Sequence, residues 1–418
     1  MPDFTKKLAM QYDSEDPLAI YRTQFFIPQH QDKDVVYLTG NSLGLQPRNT
    51  LEALKVELED WAQLGVEAHF NGKNPWMHYH KFLSPGLAYI LGAQENEVVA
   101  MNRLTVNLHL MFASFYKPTK KRYKVLMESG AFPSDMYVLE SQAKLHQLDY
   151  KEVLIEAAPR KNEYHHRTED ILQLIEEHKE SLAMVFLPGV QYYTGQVFGI
   201  QKITEKAHDV GAVVGFDLAH AVGNIELKLH EWNVDWAAWC SYKYLNSGPG
   251  NVSGVFIHQK HVSNTKMPRL AGWWGQIESE RFEMKKGFKP EAGAAGWQLS
   301  NAPILGMAVH KVALDMFVSA RMNILIEKRK KMTDFLASAL LSCSEKNPKL
   351  NFKIITPKER GAQISVLTGS EGKALYNFLS ENGVVVDWRE PNVIRMAPVP
   401  LYNSFEDIWR TTDVLLRF

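Results

Sequence analysis

A chain of 418 residues, 45% hydrophobic and 22% charged, has a globular composition with room for one main domain and a smaller one. Its 47 basic and 47 acidic side chains cancel, which leaves no basic excess for nucleic acid and no acidic tail. Two cysteines, Cys240 and Cys343, exclude a disulfide framework and a cysteine zinc site, and they point to a reducing compartment. The N-terminal stretch is charged and lacks the apolar core of a signal peptide, and no apolar run approaches the roughly 18 residues of a membrane span. The expectation is a cytoplasmic protein with neither membrane nor nucleic acid as a partner.

In chain order, Leu51, Leu54, Leu58, Trp61 and Leu64 fall at helical spacing, and Pro47 is placed to start that helix. VLME (125–128) predicts a buried strand, followed by a turn at AFPSD and a helix to about Lys144. LAMVFL (182–187), AVVGFD (212–217), WAAWC (236–240) and GVFIH (254–258) predict further strands, and residues 200–210 predict a helix closed by Gly211. Short, continuously apolar strands separated by helices predict an α/β fold with a mostly parallel sheet covered on both faces. After residue 303 a long helical stretch gives way to the short strands FKIIT, QISVL and VVVDW and two more helices. The organisation expected is a large domain over 65–302 and a small α+β domain built from 1–64 and 303–418.

Ligands of such a sheet bind at its strand ends. Asp217 ends one predicted strand and Lys243 follows another. A lysine amine for a Schiff base and a carboxylate for a pyridine nitrogen are what pyridoxal phosphate requires. Each residue alone has a plainer reading, as a helix cap and as a solvated loop lysine. Thr105 in NRLTVN, and Ser134 and Asp135 in AFPSD, lie at helix starts, where they are phosphate neighbours or ordinary caps. His220 is a ring neighbour or a packed histidine, and Trp273 and Trp274 close a pocket or fill a core. TGNSLGLQP lacks the GxGxxG spacing of a dinucleotide site.

YLTGNSLGLQPR (37–48), MNRLTVNLHL, AFPSD, GFDLAHAVGN, CSYKYLN, GWWGQ and APVPLYNS follow one another over nearly the whole chain. Together they resemble the kynureninases, which are fold-type I pyridoxal-phosphate enzymes. The resemblance implies hydrolytic cleavage of the Cβ–Cγ bond of L-kynurenine or 3-hydroxy-L-kynurenine to anthranilate or 3-hydroxyanthranilate and L-alanine. It places the reaction in tryptophan degradation and the kynurenine route to pyridine nucleotides. It implies Lys243 as the cofactor-bearing lysine and α-proton base, Asp217 as partner of the pyridine nitrogen, and His220 beside the cofactor. Leu104, Thr105 and Tyr242 would contact the phosphate, with Tyr242 either a proton relay or only an anchor. Phe132 would stack on the ring within the cofactor-binding run Phe132, Pro133, Ser134 and Asp135. Trp273 and Asn301 would complete the phosphate site from the partner subunit of a homodimer. Arg395 would hold the substrate α-carboxylate, and His69 and Asn301 would meet its aromatic end. One departure is Pro188 in FLPGVQYYTGQ, where animal members carry a cofactor-contacting serine. Proline has neither hydroxyl nor N–H, so that contact is expected to be lost or replaced.

Two other readings are weaker. A cysteine desulfurase-like lyase needs a nucleophilic cysteine on a mobile loop, whereas Cys240 ends an apolar strand and Cys343 lies at a helix end. A non-catalytic binding protein on the same fold would show an added domain or a basic stripe, and neither is legible.

Overall fold

Alternation of side chains along each central strand builds both faces of one seven-stranded sheet in the computed structural model, which describes residues 5–418. The strands are β1 (Val98–Ala100), β2 (Lys124–Glu128), β3 (Leu154–Ala157), β4 (Leu182–Pro188), β5 (Val213–Asp217), β6 (Trp236–Trp239) and β7 (Gly254–Ile257). Their order is β1-β7-β6-β5-β4-β2-β3. β3, β2, β4, β5 and β6 are mutually parallel, and β7 runs antiparallel to both of its neighbours. Leu126, Val185, Leu187, Val214 and Phe216 enter the core on one face, while Val125, Met127, Met184 and Phe186 enter the core on the other. Burial on both faces is why these strands read as unbroken apolar runs.

The principal helices before residue 300 are α1 (Lys6–Ser14), α2 (Thr50–Leu64), α3 (Tyr79–Leu91), α4 (Leu104–Phe115), α5 (Pro133–Leu145), α6 (Thr168–Glu177) and α7 (Ile200–Asp209). α2 forms where its spacing predicts, yet Leu51, Leu58 and Trp61 are exposed and the buried residues are Thr50, Glu57 and Asp60. Glu57 lies inward because it accepts hydrogen bonds from Asn74, Trp76 and the Tyr79 hydroxyl. The apolar stripe of the helix therefore faces outward.

α8 (Ile304–Ala320) and α9 (Met322–Lys346) follow. α8 lies beyond the expected border at 303, but its Met307, Leu314 and Phe317 pack in the core of the main sheet beside Leu83 and Leu87 of α3. The hand-over comes within α9, whose Leu325 joins that core and whose Met332, Leu336 and Leu340 join a third one. The third core lies on a smaller antiparallel sheet of β8 (Lys353–Ile354), β9 (Ile364–Leu367), β10 (Asp387–Arg389) and β11 (Val393–Met396), in the order β8-β9-β11-β10. α10 (Gly372–Glu381) and α11 (Phe405–Arg417) complete it. The N-terminal arm is tied to this part by pairing of Val36–Tyr37 with Val384–Val385. Ala9 of α1 is buried in the same core. No helix among the described residues is long and apolar enough to cross a membrane.

Candidate active site

Parallel strands deliver their last residues to one end of the sheet. β2 ends at Glu128, β4 at Pro188 and β5 at Asp217, and β6 leads through Cys240 and Ser241 to Tyr242 and Lys243. Glu128, Pro188, Asp217, Tyr242 and Lys243 all line a cavity of about 460 Å³. α4 and α5 begin at the same cavity, with Leu104 and Thr105 on one and Ser134 and Asp135 on the other. Neither helix start has a side-chain cap, so first-turn N–H groups are left for an anionic ligand. Arg103, just before α4, adds a positive charge.

Lys243 Nζ lies 2.9 Å from Nε2 of His220 and 5.9 Å from the centre of the Phe132 ring. Burial, and after it the charges of Lys243, Arg395 and Arg389, hold the His220 imidazole well below its usual pKa. The ring is therefore neutral, Nε2 accepts from Lys243 Nζ, and Nδ1 carries a hydrogen with no partner among the described residues. Asp217 is buried and its Oδ1 accepts the Ala219 N–H at 2.7 Å. Burial raises its pKa, against the pull of Lys243 and of hydrogen bonds from Ala219 and Asp135. Burial drives the carboxyls of Glu128 and Asp135 well above the usual range, and the charge of Asp217 adds to this in both. Burial thus disfavours the charged form at all three carboxyls, and at Asp217 the charge of Lys243 pulls the other way. Burial also raises the Tyr242 phenol, which stays protonated.

The opposite wall comes from the small sheet, with Arg395 on β11 and Arg389 on β10. Arg395 is 1% exposed; its Nη1 donates to the Tyr192 carbonyl at 2.6 Å and its Nε to Asp387 Oδ1 at 3.0 Å. The Tyr192 ring meets the Phe132 ring edge-on at 5.2 Å. The N-terminal segment presses on the lysine loop from outside, where the Gly44 N–H donates to the Tyr242 carbonyl at 2.8 Å.

The structure gathers Leu104, Thr105, Phe132, Ser134, Asp135, Pro188, Asp217, His220, Tyr242, Lys243 and Arg395 around one cavity. Pro133 does not line it and instead occupies the first turn of α5. Three expected residues lie elsewhere within the single chain. His69, on the short helix Ala68–Asn71, contacts the Val66 carbonyl and the edge of Trp76. Trp273 is 44% exposed and donates to the Arg281 carbonyl, whereas Trp274 is buried. Asn301 borders a neighbouring cavity of about 570 Å³, which shares Arg103 and Gly250 with the first. Asn41, Ser42, Arg103, Glu128, Tyr192 and Arg389 also line the main cavity and were not singled out by sequence. Glu128 ends a predicted strand as Asp217 does, and that signal was available. Cys240 and Cys343 are both buried, and burial raises both thiols, Cys343 to about 11. A desulfurase-type thiolate nucleophile is therefore missing among the described residues.

The carboxyl end of Asp217 and the Lys243 amine suit pyridoxal phosphate, and the uncapped starts of α4 and α5 suit its phosphate. Comparison with known proteins agrees. Residues 325–415 match a family model described as the kynureninase C-terminal domain. A kynureninase of Flavobacterium psychrophilum is 50% identical over 414 residues, which is 98% of this chain and 97% of the relative. Kynureninases of Koribacter versatilis and Myxococcus xanthus are 48% and 47% identical, each over 98% of this chain and 96% of the relative. Among solved structures, a C-DES mutant with glycine covalently linked to the PLP cofactor superposes with a TM-score of 0.77 at 14% identity, over 92% of this chain and 97% of that one. The cysteine desulfurase CsdA from Escherichia coli gives 0.76 at 16% identity, over 96% and 98%. At these identities the likeness is one of fold, that of the fold-type I pyridoxal-phosphate enzymes.

Proposed function

The chain belongs to the kynureninase family, and from that premise we propose how its residues divide the work of the reaction. It is a pyridoxal-phosphate-dependent hydrolase that cleaves the Cβ–Cγ bond of L-kynurenine or its 3-hydroxy derivative. The observation that carries the assignment of roles is the placing of the Lys243 amine and the buried Asp217 carboxylate on one cavity, between two uncapped helix starts.

When bound, pyridoxal phosphate supplies an electron sink for negative charge developing on the substrate carbons. Lys243 would hold it covalently, and Asp217 would stand as the acidic partner of its pyridine nitrogen. The N–H groups at Leu104, Thr105 and Ser134, with Tyr242, would hold the phosphate, and Phe132 would contact the ring. Arg395 takes the substrate α-carboxylate in charge-assisted hydrogen bonds. Lys243 then moves the proton at the substrate α-carbon, which requires its neutral form. His220 Nε2, 2.9 Å from Lys243 Nζ, orients the amine from a ring that carries no charge of its own. The protonated Tyr242 phenol is placed to donate a proton or to anchor phosphate. Pro188 lines the cavity without a hydrogen to donate, so its side chain offers apolar contact alone.

His69, Trp273 and Asn301 are assigned to a second subunit of a homodimer, because within one chain they do not reach the main cavity. The exposed stripe on α2 supports the same arrangement. A cytoplasmic location is supported by two free, buried cysteines.

The test follows anthranilate fluorescence after L-kynurenine is added to the holoenzyme, with 3-hydroxy-L-kynurenine run in parallel. Wild type forms product, and Lys243→Ala loses both turnover and the absorbance of the lysine-linked cofactor. Turnover retained in Lys243→Ala would overturn the assignment.

A further inference from the structure

Antiparallel register sets Asp387 on β10 directly opposite Arg395 on β11. Arg389 lies two residues along β10, on the same face as Asp387. Asp387 Oδ1 accepts a hydrogen bond from Arg395 Nε at 3.0 Å and lies at ion-pair distance from Arg395 Nη2, at 2.9 Å, and from Arg389 Nε, at 3.1 Å. Both guanidiniums line the cavity, and Asp387 stands behind them. With the Tyr192 carbonyl on Nη1, Arg395 has its flanks occupied, and Nη2 is buried without a well-aligned hydrogen-bond acceptor. That atom is left for a ligand oxygen.

The formal charge of this end of the cavity is two cations and one anion, a net +1. One substrate carboxylate neutralises it. A second carboxylate would have to draw Arg389 away from Asp387 and lie close to a like charge in a partly desolvated site.

We propose that Asp387 is a positioning residue that sets specificity. It gathers Arg395 and Arg389 on one carboxylate, so that the cavity accepts amino acids with one carboxylate and rejects those with two. The inference deepens the assignment above and rests on Arg395 as the α-carboxylate site. Asp387 does its work by aiming Arg395 and by keeping Arg389, which is 37% exposed, from acting as a second carboxylate site.

The experiment measures inhibition constants of L-alanine and L-aspartate on the holoenzyme, two amino acids that differ by one carboxylate. Asp387→Asn should lower the ratio of the L-aspartate constant to the L-alanine constant by about tenfold, the scale of one charge-assisted contact. It should also raise KM for L-kynurenine with little change in kcat, because Arg395 loses its aim. Asp387→Glu should restore the wild-type ratio, and Arg389→Gln added to Asp387→Asn should abolish the gain for L-aspartate. Arg389→Gln alone keeps the Asp387–Arg395 pair and should leave the ratio near the wild-type value, because Asp387 already holds Arg389 off a second carboxylate. A ratio unchanged in Asp387→Asn, with cofactor bound, overturns the proposal, and so does a ratio lowered equally in Asp387→Asn with and without Arg389→Gln. If instead Arg395→Ala leaves KM for L-kynurenine unchanged, the carboxylate assignment itself fails, and this inference falls with it.

Discussion

Gly44 shows how one residue far from the chemistry in sequence fixes the cofactor lysine. A Cβ at this position would lie 2.2 Å from Asn246 Oδ1 and 2.4 Å from the Lys243 carbonyl oxygen. Both contacts are far inside van der Waals range, and the second is to backbone. The close approach lets the Gly44 N–H reach the Tyr242 carbonyl at 2.8 Å. Gly44→Ala must therefore push the Tyr242–Asn246 turn away from the N-terminal segment and shift Lys243. The expected cost is about 1–3 kcal/mol of stability, the usual penalty for overpacking. Because a displacement near 1 Å lowers catalytic efficiency by roughly 100-fold, activity should fall more than stability does. Urea unfolding and kcat/KM on the same preparation check both, and an unchanged kcat/KM would show that the turn is not held from this side.

At the scale of the element, α2 carries its apolar residues on the wrong side for a solvent-exposed helix. Leu51 is 71% and Trp61 60% exposed, while Glu57 is buried under three donors. A stripe of this kind marks an association surface. Leu58→Lys with Trp61→Lys should leave the fold of the chain intact, since neither side chain enters a core, and, if the proposed homodimer forms through α2, should give a monomer in sedimentation where the wild type sediments as a dimer. Activity should fall with it, because the residues assigned to the partner's site leave together. A dimer that persists would remove α2 from the interface. The helix illustrates what spacing can and cannot convey: it reports which residues share a face, not which face is covered. β2, β4, β5 and β6 were legible because burial on both sides makes them continuously apolar, and Asp217 and Lys243 were legible because they sit at the ends of those strands. The antiparallel sense of β7 was not, since period and composition are the same in either direction. β1 is only three residues long, and β3 carries the exposed Glu156 among its four, so neither reads as a continuous apolar run. Arg389 and Asp387 escaped notice because their meaning comes from cross-strand register with Arg395, which no local pattern records.

At the scale of the whole molecule, buried ionisable groups give the pH dependence of stability two opposing slopes. Glu128 and Asp135 have carboxyls raised well above their unfolded values by burial, so they favour the folded state at low pH and lose that contribution as pH rises through their folded pKa values. His80 and His310 act in the reverse direction. Burial lowers His80 to about 4, with help from the charges of Lys81 and Arg281, and lowers His310, on α8, to about 3. Unfolded histidine takes up a proton near pH 6.5, where both folded rings refuse it. Their contribution is complete above about pH 6.5 and is lost as pH falls toward their folded values, at about 1.4 kcal/mol per pH unit for each ring. His310 reports this cleanly because it is 0% exposed in the main core, away from the cavity. His310→Phe keeps a ring in place and removes the titration. Urea midpoints of the holoenzyme measured from pH 7 down to pH 5 should fall less steeply in His310→Phe than in wild type, by the slope of one histidine. Parallel slopes would mean that the ring is already protonated in the fold, and that the acid limit of this enzyme is set by other groups.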